Sequence, residues 1–535
     1  MERLEESNVD SLLFRARCKG VRIWVEKNEL RYQAPKGVLN SDDYSKLKER
    51  RADLLEFLGK SPVADSWEGS IIRRASSEQV PLTFSQQAIW NYFNPGERGS
   101  RSEQFAVRLL GEWSIEVLRQ AFAALVRRHE ALRTRIVTTN GIPIQEIDEG
   151  DEFDVELVEI TGNSKWDREA SAKRFIAKLA NAHLDVSAQP LFAVRLLELD
   201  RQDMVLVVSW DHLFFDPISI ATLWRELWTT YSHLVTDGSI PLIEVPVQFG
   251  DYAVWQQKTN GSWMREHAAY LSERIAESVR VPLFSRRPIP QSADRPAFHI
   301  SSVRLEKQLV NGLAGVSREN RVTLGMSLLT VYAALLLRWC NKSDLLVGVV
   351  TSGRNRTEIE NTIGYFASTV FVHVTLKEAD SFRELLGRVS KEYKFALHHD
   401  DSARTIARVP LPACALNAML NWAPREIVLD PVTSFNAHVS QKIGITVERF
   451  AVDCVGVKNG DQEQNDFDDQ DADPQLTLVE TDEGVTGSML FRCDQIATDS
   501  VDHFLSTFKH FAQILCSDPS TMVTSLPYQS ERGLP

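Results

Sequence analysis

The sequence has no apolar run approaching the roughly 18–20 residues of a spanning helix, and its opening MERLEESNVD lacks the basic-then-apolar layout of a secretion leader. Nothing in it directs the chain outward, so a cytoplasmic location is expected. Cysteine is scarce and scattered. Cys18, Cys340, Cys414, Cys454, Cys493 and Cys516 form no CxxC pair and no other metal-ligand spacing, which argues against a disulfide framework or a zinc module and predicts reduced, mostly packed thiols. Excess positive charge is missing too: 60 Lys and Arg against 73 Asp and Glu leave a net charge of −13. Such a chain repels phosphate backbones and anionic lipid, so neither nucleic acid nor a membrane is an expected partner.

What is present is ordinary globular material. Hydrophobic residues make up 43% and charged residues 25% of 535 residues, enough for full cores in, at about 150 residues per domain, three to four compact units. Residues 1–60 read as a small self-contained α/β unit: a short helix from Ser7 to Lys19, two strands VRIWV and ELRYQA around Glu26-Lys27-Asn28, and a second helix capped by Ser41 with Leu47, Leu54, Leu55 and Leu58 on one stripe. The polar stretch that follows reads as a linker over 61–79. From Val80 onward helices and strands alternate, which predicts an α/β body. MVLVVSW is a continuous apolar run expected of a strand buried on both faces, and IATLWRELWTTYSHL has helical spacing. VPLFSRRPIPQSADRPAF, with four prolines, cannot be a regular element and divides the body into lobes at 80–275 and 299–525, joined by 276–298. In the second lobe LGMSLLTVYAALLLRWC reads as a buried helix, and DLLVGVV as a strand entering the turn SGRNR. DQEQNDFDDQDAD (461–473) lacks the central glycine and terminal glutamate of a calcium loop and reads as a solvated insertion.

The stretch Ser209-Trp210-Asp211-His212-Leu213-Phe214-Phe215-Asp216-Pro217 follows the buried strand directly. A histidine on a strand-to-helix connection can face a cleft, and an imidazole titrating near neutral pH suits proton transfer. The same residues also admit a purely structural reading, with Asp216 as N-cap, Pro217 as first helical residue and His212 packed nearby.

Other stretches enlarge the pattern. LTFSQQAIW at 82–90, RHEALRT at 128–134, DHLFFDP at 211–217, DYAVW at 251–255, IGYFAST at 363–369 and His398-His399-Asp400 occur in the order of the motifs of non-ribosomal peptide synthetase condensation domains, which the chain resembles from about Val80 to Cys516. The resemblance implies two chloramphenicol-acetyltransferase-like lobes in a V-shaped pseudo-dimer, with a tunnel between them. Donor and acceptor, usually phosphopantetheine thioesters on carrier proteins, would enter from opposite faces, and the chain itself would bind no cofactor. His212 would be the catalytic histidine. Asp216 would hold its loop through an arginine, with Arg354 the first candidate and Arg133 the alternative, while Pro217, Trp210 and Tyr365 would line the tunnel. Two positions depart from the HHxxxDG pattern: Asp211 stands in place of the first histidine, and Pro217 replaces a glycine, narrowing the passage and removing an amide donor.

Residues 1–60 resemble TubC-type N-terminal docking domains, whose β-hairpin captures a short C-terminal motif of an upstream protein. Between Arg15 and Lys36 seven basic residues face two glutamates. Cationic flanks on an exposed hairpin edge suit strand addition by an acidic tail, with Arg22, Lys27 and Arg31 supplying the attraction. The expected activity is therefore transfer of a carrier-bound peptidyl or polyketide acyl chain to an amine or hydroxyl, forming an amide or an ester. With no carrier domain in the sequence, the acceptor is either a free small molecule, as in chain release, or a substrate on another carrier. Two alternatives stay open: a relative that uses coenzyme A thioesters, and a non-catalytic recruitment platform.

Overall fold

The computed structural model describes residues 22–26, 29–33, 45, 47–52, 54–55, 71–93, 102–149, 153–180, 186–187, 191–242, 244–258, 283–287, 298–354, 356–398, 418–423, 431–439, 445–450 and 474–526. The Ser7–Lys19 helix, Cys18, Cys414, Cys454, the His399-Asp400 pair and the acidic 461–473 stretch lie outside them. Cys340, Cys493 and Cys516 are each partly buried, and among the described residues no single helix is long and apolar enough to cross a membrane.

The N-terminal unit contributes an antiparallel hairpin, β1 (Arg22–Glu26) and β2 (Glu29–Gln33), with Trp24 opposite Arg31. Helical residues between 45 and 55 follow, burying Leu47 and Leu54 as their spacing predicts.

The first lobe begins earlier than the sequence suggests. Ile71 is buried in its core, while Arg74 reaches Asp251 (2.8 Å) and Glu130 (2.9 Å), so the end of the expected linker is docked. Then come β3 (Val80–Pro81), α1 (Phe84–Phe93), β4 (Ser102–Leu110), α2 (Ile115–Arg128), β5 (Thr134–Thr139), β6 (Ile142–Ile147), β7 (Glu156–Glu159), α3 (Lys165–Ala180), β8 (Phe192–Asp200), β9 (Asp203–Asp211), α4 (Pro217–Thr236) and α5 (Phe249–Lys258). β9 lies between β4 and β8, and its residues from Met204 to Asp211 are all buried, which is what its unbroken apolar run demands.

The second lobe comprises β10 (Phe298–Glu306), α6 (Lys307–Glu319), α7 (Leu324–Trp339), β11 (Asp344–Thr351), β12 (Ser368–Thr375), α8 (Phe382–His398), β13 (Met419–Ala423), α9 (Pro431–His438), β14 (Thr446–Arg449), β15 (Leu476–Thr481), β16 (Gly484–Arg492) and α10 (Thr498–Ser517). Its sheet has the order β10-β16-β15-β13-β11-β12. α7 is the buried helix the sequence predicts, capped by the Thr323 hydroxyl on the Met326 amide. Leu283 and Phe284 of the proline-rich connection are buried in this lobe's core, because two adjacent large apolar side chains are too costly to leave in water.

One segment departs from the simple two-lobe division. Although they follow β13 in sequence, α9 and β14 belong to the first lobe: β14 adds antiparallel to β4, pairing Thr446 with Leu110, and Phe435, Val439, Ile445 and Val447 join the first core. The first-lobe sheet is thus β14-β4-β9-β8-β7. The loop between β11 and β12 also crosses over, burying Ile359, Ile363 and Phe366 against first-lobe residues.

Candidate active site

The site is built on the five residues that join β9 to α4. Asp211 closes the turn, its carboxylate accepting from the Leu213 amide (2.8 Å) while its carbonyl accepts from Phe214 N (3.1 Å). Gln86, wholly buried in α1, donates its side-chain amide to the Leu213 carbonyl (2.9 Å). Leu213, Phe214 and Phe215 point into the core. Between Trp210 and Asp216 every residue is buried except His212, whose side chain is 40% exposed. The turn therefore presents one titratable ring and anchors everything else.

His212 Nδ1 lies 2.9 Å from a Glu103 carboxylate oxygen. Glu103 sits on β4 directly across from Trp210, and its other oxygen accepts from Trp210 Nε1 (3.1 Å). The ring of Tyr365 meets the imidazole edge-on, with centroids 5.3 Å apart. Burial, then the nearby carboxylates of Asp216 and Glu103, push the Tyr365 hydroxyl well above the usual phenol range. It stays protonated at neutral pH and offers a donor rather than a base.

Asp216 caps α4, accepting from Ser219 N (2.7 Å), and Pro217 takes the first helical position. Arg354 reaches across from the second lobe, donating to both Asp216 oxygens (3.1 Å each) and to the Ser219 hydroxyl (2.8 Å). Its other terminal nitrogen donates to the Ile359 and Thr362 carbonyls (2.7 Å each), and the guanidinium lies 4.3 Å from the Phe366 ring centroid. The second Asp216 oxygen also takes the Phe366 amide (3.1 Å). Glycine is required twice in this loop. Gly353 has φ +60°, and a Cβ there would come within 1.8 Å of the Phe366 carbonyl oxygen; a Cβ on Gly364 would strike the Phe249 ring at 2.2 Å.

Two assignments change. Arg133 is not beside Asp216: it donates to the Asp148 carbonyl, because the short 3₁₀ turn at Glu130–Arg133 carries it toward the end of β6. Trp210 does not line a passage; as part of a strand covered on both faces it is 2% exposed and packs on Phe105 and Phe215. Asp211 keeps the structural role expected of it, buried and shaping the turn. Pro217, by contrast, is exposed at the helix start, where an amide would have no helical acceptor.

The remaining motifs support this loop from below. His129 is wholly buried with Nε2 2.8 Å from Glu226. Burial pushes the Glu226 carboxyl up, but the adjoining His129 ring and the Arg128 guanidinium outweigh it and hold the group below the usual carboxylate range. Asp251 takes the Gln248 amide (2.9 Å) and the Arg74 guanidinium, while Tyr252 packs on Phe366 and Trp255 on Arg356. Among the described residues no three metal-ligating side chains converge. In the hairpin Arg31 is exposed but paired with Glu29 (3.1 Å), which tempers its pull on a distant acidic partner. Lys27 and the Arg22 side chain lie outside the described residues.

Glu103 is the residue that sequence reasoning missed. Only the pairing of β4 with β9 brings it beside His212.

The condensation-domain family matches this chain over residues 76–533, and the TubC N-terminal docking domain matches residues 9–59. One of the linear gramicidin synthase proteins of Brevibacillus parabrevis is 28% identical over 490 residues, which cover 90% of this chain and 9% of that protein. Phosphinothricin tripeptide synthetase PhsC of Streptomyces viridochromogenes is 30% identical over 66% of this chain and 33% of its own length. The chain thus spans from about a tenth to a third of these relatives. In fold it is similar to the X-domain from teicoplanin biosynthesis (TM-score 0.68, 19% identity, 86% of this chain and 100% of that one). It is also similar to the cyclization-docking bidomain of EpoB from Sorangium cellulosum (TM-score 0.63, 19% identity, 96% and 98%). The two α/β lobes are the chloramphenicol-acetyltransferase-like pseudo-dimer of that fold. With its His212 loop, its lobe-bridging Asp216 and Arg354, and its N-terminal hairpin, the chain belongs to the condensation-domain family of the non-ribosomal peptide synthetases and carries a TubC-type docking domain ahead of it.

Proposed function

We propose that the chain is an acyltransferase that takes a peptidyl or polyketide chain from a carrier-protein phosphopantetheine thioester and joins it to an amine or hydroxyl. At the level of the family this is amide-forming condensation; ester formation and release to a free acceptor are our extension. The observation that carries the reading is the single accessible imidazole of an otherwise buried loop, with Nδ1 already engaged by a carboxylate. His212 would accept the acceptor's proton at Nε2 as its nitrogen or oxygen attacks the thioester carbonyl. The C–S bond then breaks, and the departing sulfur takes a proton to leave as the thiol.

Neither departure from the HHxxxDG pattern speaks for a degenerate site. Asp211 organises the turn and Pro217 starts the helix, so both replacements leave the imidazole and its carboxylate in place. The test is intact-protein mass spectrometry of an acyl-loaded carrier, mixed with this chain and a panel of amine and hydroxyl acceptors, each free and carrier-tethered. Loss of the acyl mass with one acceptor supports transfer and reads the bond type. Transfer only to tethered acceptors rejects release to a free molecule, equal use of acyl coenzyme A rejects carrier dependence, and no transfer with any acceptor rejects catalysis.

For the hairpin we propose capture of an upstream protein's acidic C-terminal tail by strand addition, a mode open to a sheet that has two strands among the described residues. Deleting residues 1–60 should slow transfer from the natural upstream carrier and spare a small thioester mimic. The complex should weaken as salt rises, since exposed charge attraction decays over about 10 Å at 0.1 M. Equal loss with both donors would show that the segment supports the fold instead.

A further inference from the structure

We propose that Glu103 is the positioning residue that makes His212 a base, fixing which ring nitrogen holds the proton. The inference rests on the acyltransfer reading and deepens it. A neutral imidazole carries one N–H, on either nitrogen, and an ionised carboxylate only accepts. With Nδ1 at 2.9 Å from Glu103, the favourable arrangement puts the proton on Nδ1 and the lone pair on Nε2. That nitrogen can then take a proton from an acceptor. The imidazolium that results stands beside a negative charge, which stabilises it as it forms.

Glu103 is well placed to hold this geometry. Its second oxygen is tied to the indole N–H of buried Trp210, and that ring is fixed between Phe105 and Phe215. Among the described residues the carboxylate is therefore held at two points, one structural and one facing the imidazole. Among the described residues the other titratable groups around the loop are engaged elsewhere than at Nδ1. Tyr365 stays protonated, Asp211 is committed to the Leu213 amide, and Asp216 is committed to Arg354, Ser219 and Phe366. The arrangement has the logic of a nucleophile-activating triad in which the acid orients the base, with the substrate supplying the nucleophile.

The chemistry of the acceptor gives the inference its own signature. An alcohol must lose its proton as the C–O bond forms, whereas a neutral amine can attack first and lose its proton afterwards. The tautomer of His212 should therefore matter more for ester formation than for amide formation.

Two measurements test this. In the first, ¹⁵N-histidine-labelled protein, with His212 assigned by comparison with His212→Ala, should show His212 as the Nδ1–H tautomer. Glu103→Gln, whose amide can donate to Nδ1, should move the population toward Nε2–H. This readout needs no substrate, so it stands even if the acyltransfer reading fails. In the second, Glu103→Gln should lower kcat for a hydroxyl acceptor by about 10- to 100-fold, less than the roughly 10⁴-fold seen where such a carboxylate is fully buried. It should cost a free amine less than about 3-fold, and the acid limb of the kcat/KM profile should move to lower pH by a few tenths of a unit, as a half-exposed pair allows. Glu103→Asp, which keeps the charge on a shorter arm, should recover part of the loss. An unchanged tautomer in Glu103→Gln, or equal losses with both acceptors, would overturn the proposal. If Glu103→Gln does not fold, the wild-type tautomer decides alone: an Nε2–H imidazole at neutral pH rejects it.

Discussion

His212→Ala is expected to abolish most acyl transfer, by about 10²- to 10⁴-fold, while the protein keeps its melting temperature and its capture of the donor carrier. The size of the loss is that of removing a positioned proton acceptor from a step that needs one. The separation from stability follows from the loop's construction. Asp211, Gln86, Leu213, Phe214 and Phe215 hold its shape, and the imidazole, 40% exposed, pairs with a carboxylate that is itself 45% exposed. Such an exposed pair is worth little to folding. Single-turnover transfer from a loaded carrier, followed by intact mass, measures the rate, and a melting curve the rest. Turnover near the wild-type rate would remove His212 from the reaction.

The opposite profile is expected for the ion pair that spans the lobes. Removing one member of a buried pair strands the other, at about 3–5 kcal/mol. Asp216 is 2% and Arg354 6% exposed. Asp216→Ala would leave a buried guanidinium facing no carboxylate and the Ser219 and Phe366 amides without their acceptor. Arg354→Ala should be the worse of the two, because it also orphans the Ile359 and Thr362 carbonyls and the π-face of Phe366. Both should lower the denaturation midpoint sharply, whereas Arg133→Ala, on the Asp148 carbonyl, should not. If Asp216→Ala proves fully stable and weakens only acceptor affinity, the aspartate is a substrate contact.

Much of this could be read from the chain because the information is local. Strand, turn and cap at Ser209–Pro217 occupy nine consecutive residues, and an Asp-Pro pair before a helical pattern states where the helix begins. Arg354 was within reach because it lies in the turn that a strand pattern ends on. Glu103 was out of reach for a definite reason. It meets Trp210 and His212 only through the register of β4 on β9, over 100 residues apart, and a one-residue slip would turn its side chain to the other face. Trp210 misled because an aromatic beside a motif invites a functional reading, while a run with no alternation reports burial on both faces. The segment 431–449 shows a further limit. Val447 flanked by polar residues marks a half-buried strand, but nothing in that pattern names the sheet that receives it.

That strand imposes an order in time. The edge of β4 is closed by β14, whose first residue, Thr446, is made 336 residues after Leu110. At about 5–20 residues per second, a ribosome takes roughly 20–70 s to deliver it. During that interval the nascent first lobe has a complete β4 with its hydrogen-bonding edge open, and lacks the Phe435, Val439, Ile445 and Val447 that seal its core. An exposed edge of this kind is an invitation to pairing with another chain. The first lobe therefore matures only when the second is mostly synthesised, and a fragment ending near residue 275 should emerge as an aggregating intermediate rather than a stable lobe.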